Sequence, residues 1–276
     1  MPEAPEVQVV VDTMAVQLKN AEIEQVDVRY DSIVAYPSKD EFIQGLSHQH
    51  FRAFKRIGKY LIFEMDDKIL ISHLRMEGKF YIYDQKIEES KHIHLIFYLK
   101  DGRKACYHDT RKFGRFYLYP KTEDISSLPA LNNVGYDFTD ERCTADYFYT
   151  CIHPLKRTLK SALLDQRFVA GIGNIYANEI CFACGLDPRS RCNRISKKDC
   201  ETILFHTRRI LNEAIQYGGS TIRDYTSSLG VSGRFQLRLK VHARDGQPCP
   251  NCGCIIEKIF VNQRGTYLCR NCQKRK

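Results

Sequence analysis

Apolar residues recur at helical spacing at the start of the chain. Val7, Val10, Val11, Met14 and Leu18 fall on one face of a helix that begins after Pro5. The period then shortens to two. Runs at 21–30, 51–65, 69–74, 79–83, 92–99, 103–108 and 114–119 are apolar, aromatic or alternating, and they predict strands. Asp66-Asp67 and Asp101-Gly102 lie between such runs, where hairpin turns belong. Many short strands at this spacing predict an antiparallel sandwich or barrel.

The pattern changes after a polar stretch at 120–133. From about residue 145 the chain turns helical, with helices predicted at 155–165, 175–185 and 196–217. The last has Ser196 as a start signal and Gly218-Gly219 as a stop. Residues 218–233 hold four glycines and six Ser/Thr, the composition of a loop. Strand-like sequence returns around four cysteines in the final segment, and no internal repeat is present.

Length and charge sharpen this picture. A chain of 276 residues is long for one small core and suits two domains. Its 42 Lys+Arg against 33 Asp+Glu leave a net charge of +9, which points weakly to nucleic acid. No apolar run is long enough for a transmembrane helix, so no membrane partner is expected. The N-terminal MPEAPEVQVV carries two glutamates where a secretory signal would be basic. A cytoplasmic location is therefore expected, with the 12 cysteines reduced or metal-bound. Nothing requires a dimer, and a monomer is expected.

Cys249-Pro-Asn-Cys252 and Cys269-Arg-Asn-Cys272 are two C-x-x-C pairs separated by 16 residues. Such pairs close a tetrahedral four-thiolate site for one structural zinc, which leaves no open position for catalysis. The intervening segment, 255–267, reads as a hairpin with Gln263-Arg264-Gly265 at its tip. From residue 240 onward there are eight Lys/Arg and two acids, so six of the nine net charges lie in the last 37 residues. That concentration is an electrostatic footprint for phosphate. A third pair, Cys181 and Cys184, lies inside an expected helix and reads as core thiols.

Two helices joined by Val169-Ala-Gly-Ile-Gly-Asn174 form a second candidate phosphate site. The free N–H groups opening the later helix would face the ligand, with Asn174 as N-cap. Lys156, Arg157 and Lys160, just upstream, favour DNA over an ordinary helix hairpin. At the other end of the chain, removal of Met1 would leave Pro2 with a free secondary amine. An α-amino group titrates near ~8 and can attack a sugar carbon to form an iminium. Glu3 is placed to donate a proton, and Glu6 lies one turn further.

MPEAPEV at the start, HLRMEGKF at 73–80, DTRKFG at 109–114, LLDQRFVAGIGNIYANE at 163–179, GGSTIRDY at 218–225 and the four-cysteine ribbon occur in this order. The whole chain resembles the bacterial formamidopyrimidine-DNA glycosylases. The resemblance implies an α+β protein: an N-terminal helix plus antiparallel β-sandwich over 1–134, a helix–two-turn–helix domain over 135–235 containing a lesion loop at 218–233, and a zinc finger over 236–276. It implies a bifunctional glycosylase and abasic-site lyase acting on double-stranded DNA that contains 8-oxoguanine, formamidopyrimidines or abasic sites. Pro2 would attack C1′, Glu3 would assist opening of the sugar, and β,δ-elimination would break the strand on both sides. Lys59 matches the basic residue that meets phosphate and assists lesion handling, and Glu6 a further active-site acid.

The resemblance also assigns the residues that reach into the duplex. Chemistry at C1′ requires extrusion of the base, so something must fill the gap. Met76, Arg111 and Phe113 match the intercalating trio: an apolar wedge, a planar guanidinium and a ring suit that task. His92, Lys160, Asn174 and Arg264 match backbone contacts, and Arg264 also the proton donor of the δ-elimination. Ser220, Thr221, Ile222, Arg223, Asp224 and Tyr225 match the loop that surrounds the flipped purine. Ala4, His242 and Asp224 depart from the commonest pattern, where leucine, tyrosine and a non-acidic residue are usual. An endonuclease VIII-like enzyme for oxidised pyrimidines is the nearest alternative, disfavoured by the intact trio and the long loop. A non-catalytic zinc DNA-binding protein would leave Pro2-Glu3 without a reason.

Overall fold

A computed structural model of the chain describes residues 1–84, 86–87, 90–220 and 233–276. Its contacts divide the chain into two compact units, Met1–Asn132 with Gly218–Gly233, and Asn133–Tyr217 with Arg234–Lys276.

In the first unit, helix α1 (Ala4–Leu18) buries Val7, Val10, Val11, Met14 and Leu18, the face its periodicity predicts. Strands β1 (Ile23–Val28), β2 (Val34–Tyr36), β3 (Ala53–Ile57), β4 (Tyr60–Glu64), β5 (Lys68–His73), β6 (Lys79–Tyr83), β7 (Ile93–Leu99), β8 (Lys104–His108) and β9 (Arg115–Pro120) follow. They form a four-stranded sheet, β1-β7-β8-β6, and a five-stranded sheet, β2-β9-β5-β4-β3. All neighbours are antiparallel except β2 and β9. Leu61 and Phe63 of β4, Phe80 of β6, Phe97 of β7, Tyr107 of β8 and Phe116 of β9 meet in one core with the apolar face of α1. Phe80, Tyr107 and Phe116 pack edge to face, with centroids 4.9 to 6.0 Å apart, the arrangement their ring quadrupoles favour.

Local chemistry explains where the elements depart from the sequence reading. The run 51–65 is two strands, because Gly58 takes φ +58 and turns the chain at Gly58-Lys59 so that Ile57 faces Tyr60. The short β2 and the helix α2 (Lys39–Leu46) are absent from that reading. A signal for α2 exists in Ser38 and Glu41, whose side chains bond to each other's backbone N–H as a capping box does.

The second unit carries α3 (Ala145–Ile152), α4 (Leu159–Leu163), α5 (Asn174–Ala183) and α6 (Lys197–Gln216), with the short parallel pair β10 (Tyr136–Asp137) and β11 (Val169–Ala170). Helix α6 begins at Ser196, which caps the Asp199 N–H, and ends before Gly218 at φ +75. The helix predicted over 155–165 shrinks to five residues. Thr158 caps it, and the Leu159 and Lys160 N–H groups bond to the Ser190 and Pro188 carbonyls. Strands β12 (Glu257–Val261) and β13 (Arg264–Leu268) form the C-terminal hairpin. Its turn is Asn262-Gln263, both at positive φ, so Arg264 opens the returning strand and is not the tip. The α+β class and its arrangement of sandwich, helical segment and terminal hairpin are as the sequence leads one to expect.

Candidate functional site

The first cluster is built at the start of α1. Pro2 is buried, and Glu3, with 3% of its surface exposed, is the N-cap. The Glu6 carboxylate divides its oxygens between two segments. Oε2 accepts the Glu3 backbone N–H at 2.9 Å. Oε1 accepts the Ser220 backbone N–H at 2.8 Å and its hydroxyl at 3.0 Å. Gly219, at φ +77, brings the backbone so close that a Cβ there would stand 3.0 Å from Glu6 Oε1. Pro2, Glu3 and Glu6 thus share one corner of the first unit with Ser220, 214 residues from Glu6 in sequence. Thr221, Ile222, Arg223, Asp224 and Tyr225 lie outside the described residues.

Lys59 occupies the turn between β3 and β4 and is 5% exposed. Its charge is felt at His73, whose imidazole burial pushes down to about 3, with Arg75 and then Lys59 adding to the effect. His73 is therefore neutral at pH 7, as its bond shows: Nδ1 accepts the Arg75 N–H at 2.9 Å.

Two turns carry the expected trio, and one aspartate shapes the second of them. Asp109 is 1% exposed. Oδ1 accepts the Arg111 N–H at 2.9 Å, and Oδ2 accepts those of Phe113 at 2.9 Å and Gly114 at 2.8 Å. Lys112 sits at φ +57, and this carboxylate clasp offsets the strain. Arg111 and Phe113 project outward from the clasp, the guanidinium 4.8 Å from the ring centroid. The first turn carries Met76, 36% exposed, and closes with Gly78 N–H on the Leu74 carbonyl at 3.0 Å. The Thr110 hydroxyl donates to the Glu77 carboxylate, so the two turns are fastened together. Both also press on the Tyr107 hydroxyl: a Cβ at Gly78 or at Gly114 would collide with it. Met76 thus stands on one turn and Arg111 and Phe113 on the other, the two joined through Thr110–Glu77 and the Tyr107 hydroxyl. His92 borders the second turn, half-buried, with its carbonyl accepting the Asp109 N–H at 2.9 Å. Asp109 and Tyr107 were not singled out from sequence, although an Asp preceding Thr-Arg-Lys-Phe-Gly is the signal of a side-chain-capped turn.

In the second unit, Gly173 is the N-cap of α5 and Asn174 is its first residue, one position off the expected cap. Asn174 Nδ2 donates to the Gly265 carbonyl at 3.1 Å, which joins α5 to the hairpin beside exposed Arg264. Lys160 is held inside the second unit. It is 0% exposed, and Nζ donates to Asn178 Oδ1 at 2.9 Å, Gly265 O at 2.9 Å and Thr266 Oγ1 at 2.7 Å. An ammonium has three donors, and all three are engaged inside the protein. Lys160 therefore holds the hairpin to α5. Burial pushes the thiols of Cys181 and Cys184 well up, Cys184 to about 12, which suits core thiols and not ligands.

The sulfurs of Cys249, Cys252, Cys269 and Cys272 all lie within 4.8 Å of one another. Cys249–Cys272 and Cys252–Cys269 are separated by 3.8 and 3.5 Å. A tetrahedron of thiolates ~2.3 Å from zinc has edges of ~3.8 Å, so the four sulfurs are already spaced for one zinc ion. A full thiolate set leaves no position for substrate, so the metal is structural. Among the described residues no helix is long and apolar enough to cross a membrane.

Comparison with known proteins agrees with this geometry along the whole chain. The formamidopyrimidine-DNA glycosylase N-terminal domain matches residues 1–116, the formamidopyrimidine-DNA glycosylase H2TH domain residues 134–226, and the zinc finger found in FPG and IleRS residues 246–275. The formamidopyrimidine-DNA glycosylases of Bacillus licheniformis and Bacillus subtilis are 42% and 39% identical, each match covering all of both chains. The Lactococcus lactis Fpg solved with abasic-site DNA superposes with a TM-score of 0.91 at 33% identity, over 99% of this chain and 100% of that one. A fold shared over its full length, with a four-thiolate finger in place, makes this chain a member of the formamidopyrimidine-DNA glycosylase family of DNA-repair enzymes.

Proposed function

We propose that the enzyme removes oxidised purines, 8-oxoguanine and formamidopyrimidines, from double-stranded DNA and cleaves the resulting abasic strand by β,δ-elimination. The observation that carries this reading is the corner built by Pro2, Glu3 and Glu6 at the head of α1. Removal of Met1 frees the Pro2 amine. Its lone pair attacks C1′ as the base departs with the electrons of the glycosidic bond, and the nitrogen then gives up its proton. Glu3 protonates O4′, so the C1′–O4′ bond breaks to an iminium, which acidifies C2′; the 3′ phosphate departs in the β step and the 5′ phosphate in the δ step, with Arg264 as proton donor. Met76, Arg111 and Phe113 fill the space left by the extruded base. Lys59 assists at the lesion phosphate; His92, Asn174 and Arg264 hold the backbone. The zinc contributes the folding energy of the small hairpin that carries Arg264. The protein acts as a monomer in the cytoplasm.

Borohydride trapping on a duplex containing 8-oxoguanine tests this directly. A covalent protein–DNA adduct that vanishes in Pro2→Gly is expected. Binding without adduct or strand cleavage refutes the reading, and a faster reaction on thymine glycol than on 8-oxoguanine would transfer the enzyme to the pyrimidine-preferring branch.

A further inference from the structure

The hydrogen bonds behind the Arg264 hairpin spread from Lys160 Nζ, and one branch ends on a residue the reaction does not use. His242 Nδ1 lies 2.7 Å from Asn178 Nδ2. An amide nitrogen only donates, so Nδ1 accepts and the imidazole is neutral. Burial supports this, pushing His242 down to about 4, with the nearby Lys160 charge acting the same way. With Nδ2 committed to His242, Asn178 turns Oδ1 toward Lys160 Nζ, which also donates to Gly265 O and Thr266 Oγ1. The Thr266 hydroxyl in turn donates to the Arg264 carbonyl at 2.9 Å. Lys160, Asn178 and Thr266 are each 0% exposed, so solvent cannot replace a lost partner.

The segment bearing His242 is itself fixed. The Glu179 carboxylate accepts the backbone N–H groups of Lys240, Val241 and His242 at 2.8, 3.0 and 2.8 Å. Adjacent residues of α5 therefore do complementary work: Glu179 anchors the backbone at 240–242, and Asn178 reads the ring it presents. Without an acceptor at position 242, Asn178 Nδ2 is left a buried donor with no partner, and any shift of the amide to recover one moves Oδ1 off Lys160 Nζ.

We propose that His242 is a positioning residue for Arg264, acting through Asn178 and Lys160 to set the hairpin peptide that Asn174 also holds. The part concerning elimination products rests on the proposed role of Arg264; the part concerning DNA affinity does not. The test compares His242→Leu, which removes the acceptor, with His242→Asn, whose Oδ1 lies near the place of Nδ1. Zinc content and melting temperature establish that each is folded. Affinity is read on a duplex carrying a tetrahydrofuran abasic analogue, and the δ-to-β product ratio in single turnover on 8-oxoguanine DNA.

Loss of one buried hydrogen bond is expected to weaken affinity about tenfold in His242→Leu. The share of δ product falls with it, while base release at saturating DNA stays near wild type. His242→Asn restores both. Wild-type affinity and product ratio in a folded, zinc-loaded His242→Leu overturn the proposal, as does a His242→Asn no better than the leucine variant. If His242→Leu does not fold, Thr266→Val breaks the same chain at its far end, and wild-type behaviour there refutes it. A wild-type enzyme without strand cleavage would discard the proposed reaction and leave the affinity comparison standing.

Discussion

Asp109→Ala removes one buried carboxylate and with it three backbone hydrogen bonds, to Arg111, Phe113 and Gly114. A hydrogen bond to a charged group contributes ~1.5–3 kcal/mol. The three do not count equally, because the Arg111 and Phe113 N–H groups are only partly buried and regain water when released, whereas the Gly114 N–H is buried. The expected net loss is about 3 kcal/mol, close to one full charge-assisted bond plus the orphaned donor. For a unit of this size that corresponds to a melting temperature lower by about 6–12 °C. The functional effect should be larger than the thermal one suggests, since the turn carries Arg111 and Phe113 and would sample many conformations around Lys112. Single-turnover base release on 8-oxoguanine DNA below saturation, together with hydrogen exchange at 111–114, provides the assay. Protection at Arg111, Phe113 and Gly114 should disappear, and base release should fall at least tenfold. Asp109→Asn keeps one acceptor oxygen and should lie between. An alanine variant with native exchange and native base release would refute the view that this carboxylate holds the two side chains in place.

Further outcomes follow from other features. Gly114→Ala should destabilise by ~1–3 kcal/mol through overpacking against the Tyr107 hydroxyl, and Tyr107→Phe in the same chain should recover part of it; an unchanged melting point for Gly114→Ala is the contrary result. His73 is held neutral when folded, with its pKa moved down to about 3, while an unfolded histidine titrates near ~6.5. The unfolded chain therefore binds the extra proton first, and the His73 contribution is complete above ~6.5 and lost as pH falls toward ~3. Denaturant unfolding should show a shallower loss of stability between pH 7 and 5 in His73→Gln than in wild type, and parallel curves would contradict this. Chelation of zinc should abolish DNA binding and unfold the hairpin, as followed by anisotropy and circular dichroism; a zinc-free sample that binds normally would show that the four thiolates are dispensable.

Elements with a strong period or a strong end signal were legible in the sequence. Helix α1 shows its buried face residue by residue, α6 shows both caps, and the strand Lys79–Tyr83 has the bounds its pattern predicts. The zinc site was legible because four thiolates at that spacing have little else to do. Legibility failed where tertiary bonds decide. Helix α4 starts late because the carbonyls of Pro188 and Ser190, about thirty residues away, take the Lys160 and Leu159 N–H groups. Lys160 carries the charge of a phosphate contact, and only the partners Asn178, Gly265 and Thr266 reveal that its charge is directed inward. Asp109 was visible as a letter in a motif, but its clasp on three N–H groups depends on a backbone that doubles back on itself. A one-dimensional pattern gives periods and caps; it does not give which buried donor meets which distant acceptor.

The divided carboxylate of Glu6 has a thermodynamic corollary. One oxygen belongs to the first turn of α1 and the other to Gly219-Ser220, so the head of the helix and the entry to the 218–233 segment are linked equilibria. Any ligand that competes for the Ser220 N–H or hydroxyl loses affinity by the free energy of the bond it displaces. By reciprocity, strengthening that bond weakens the ligand by the same factor. A substitution on either side of this shared acid is thus a substitution in both, and its energies on the two sides should not be additive.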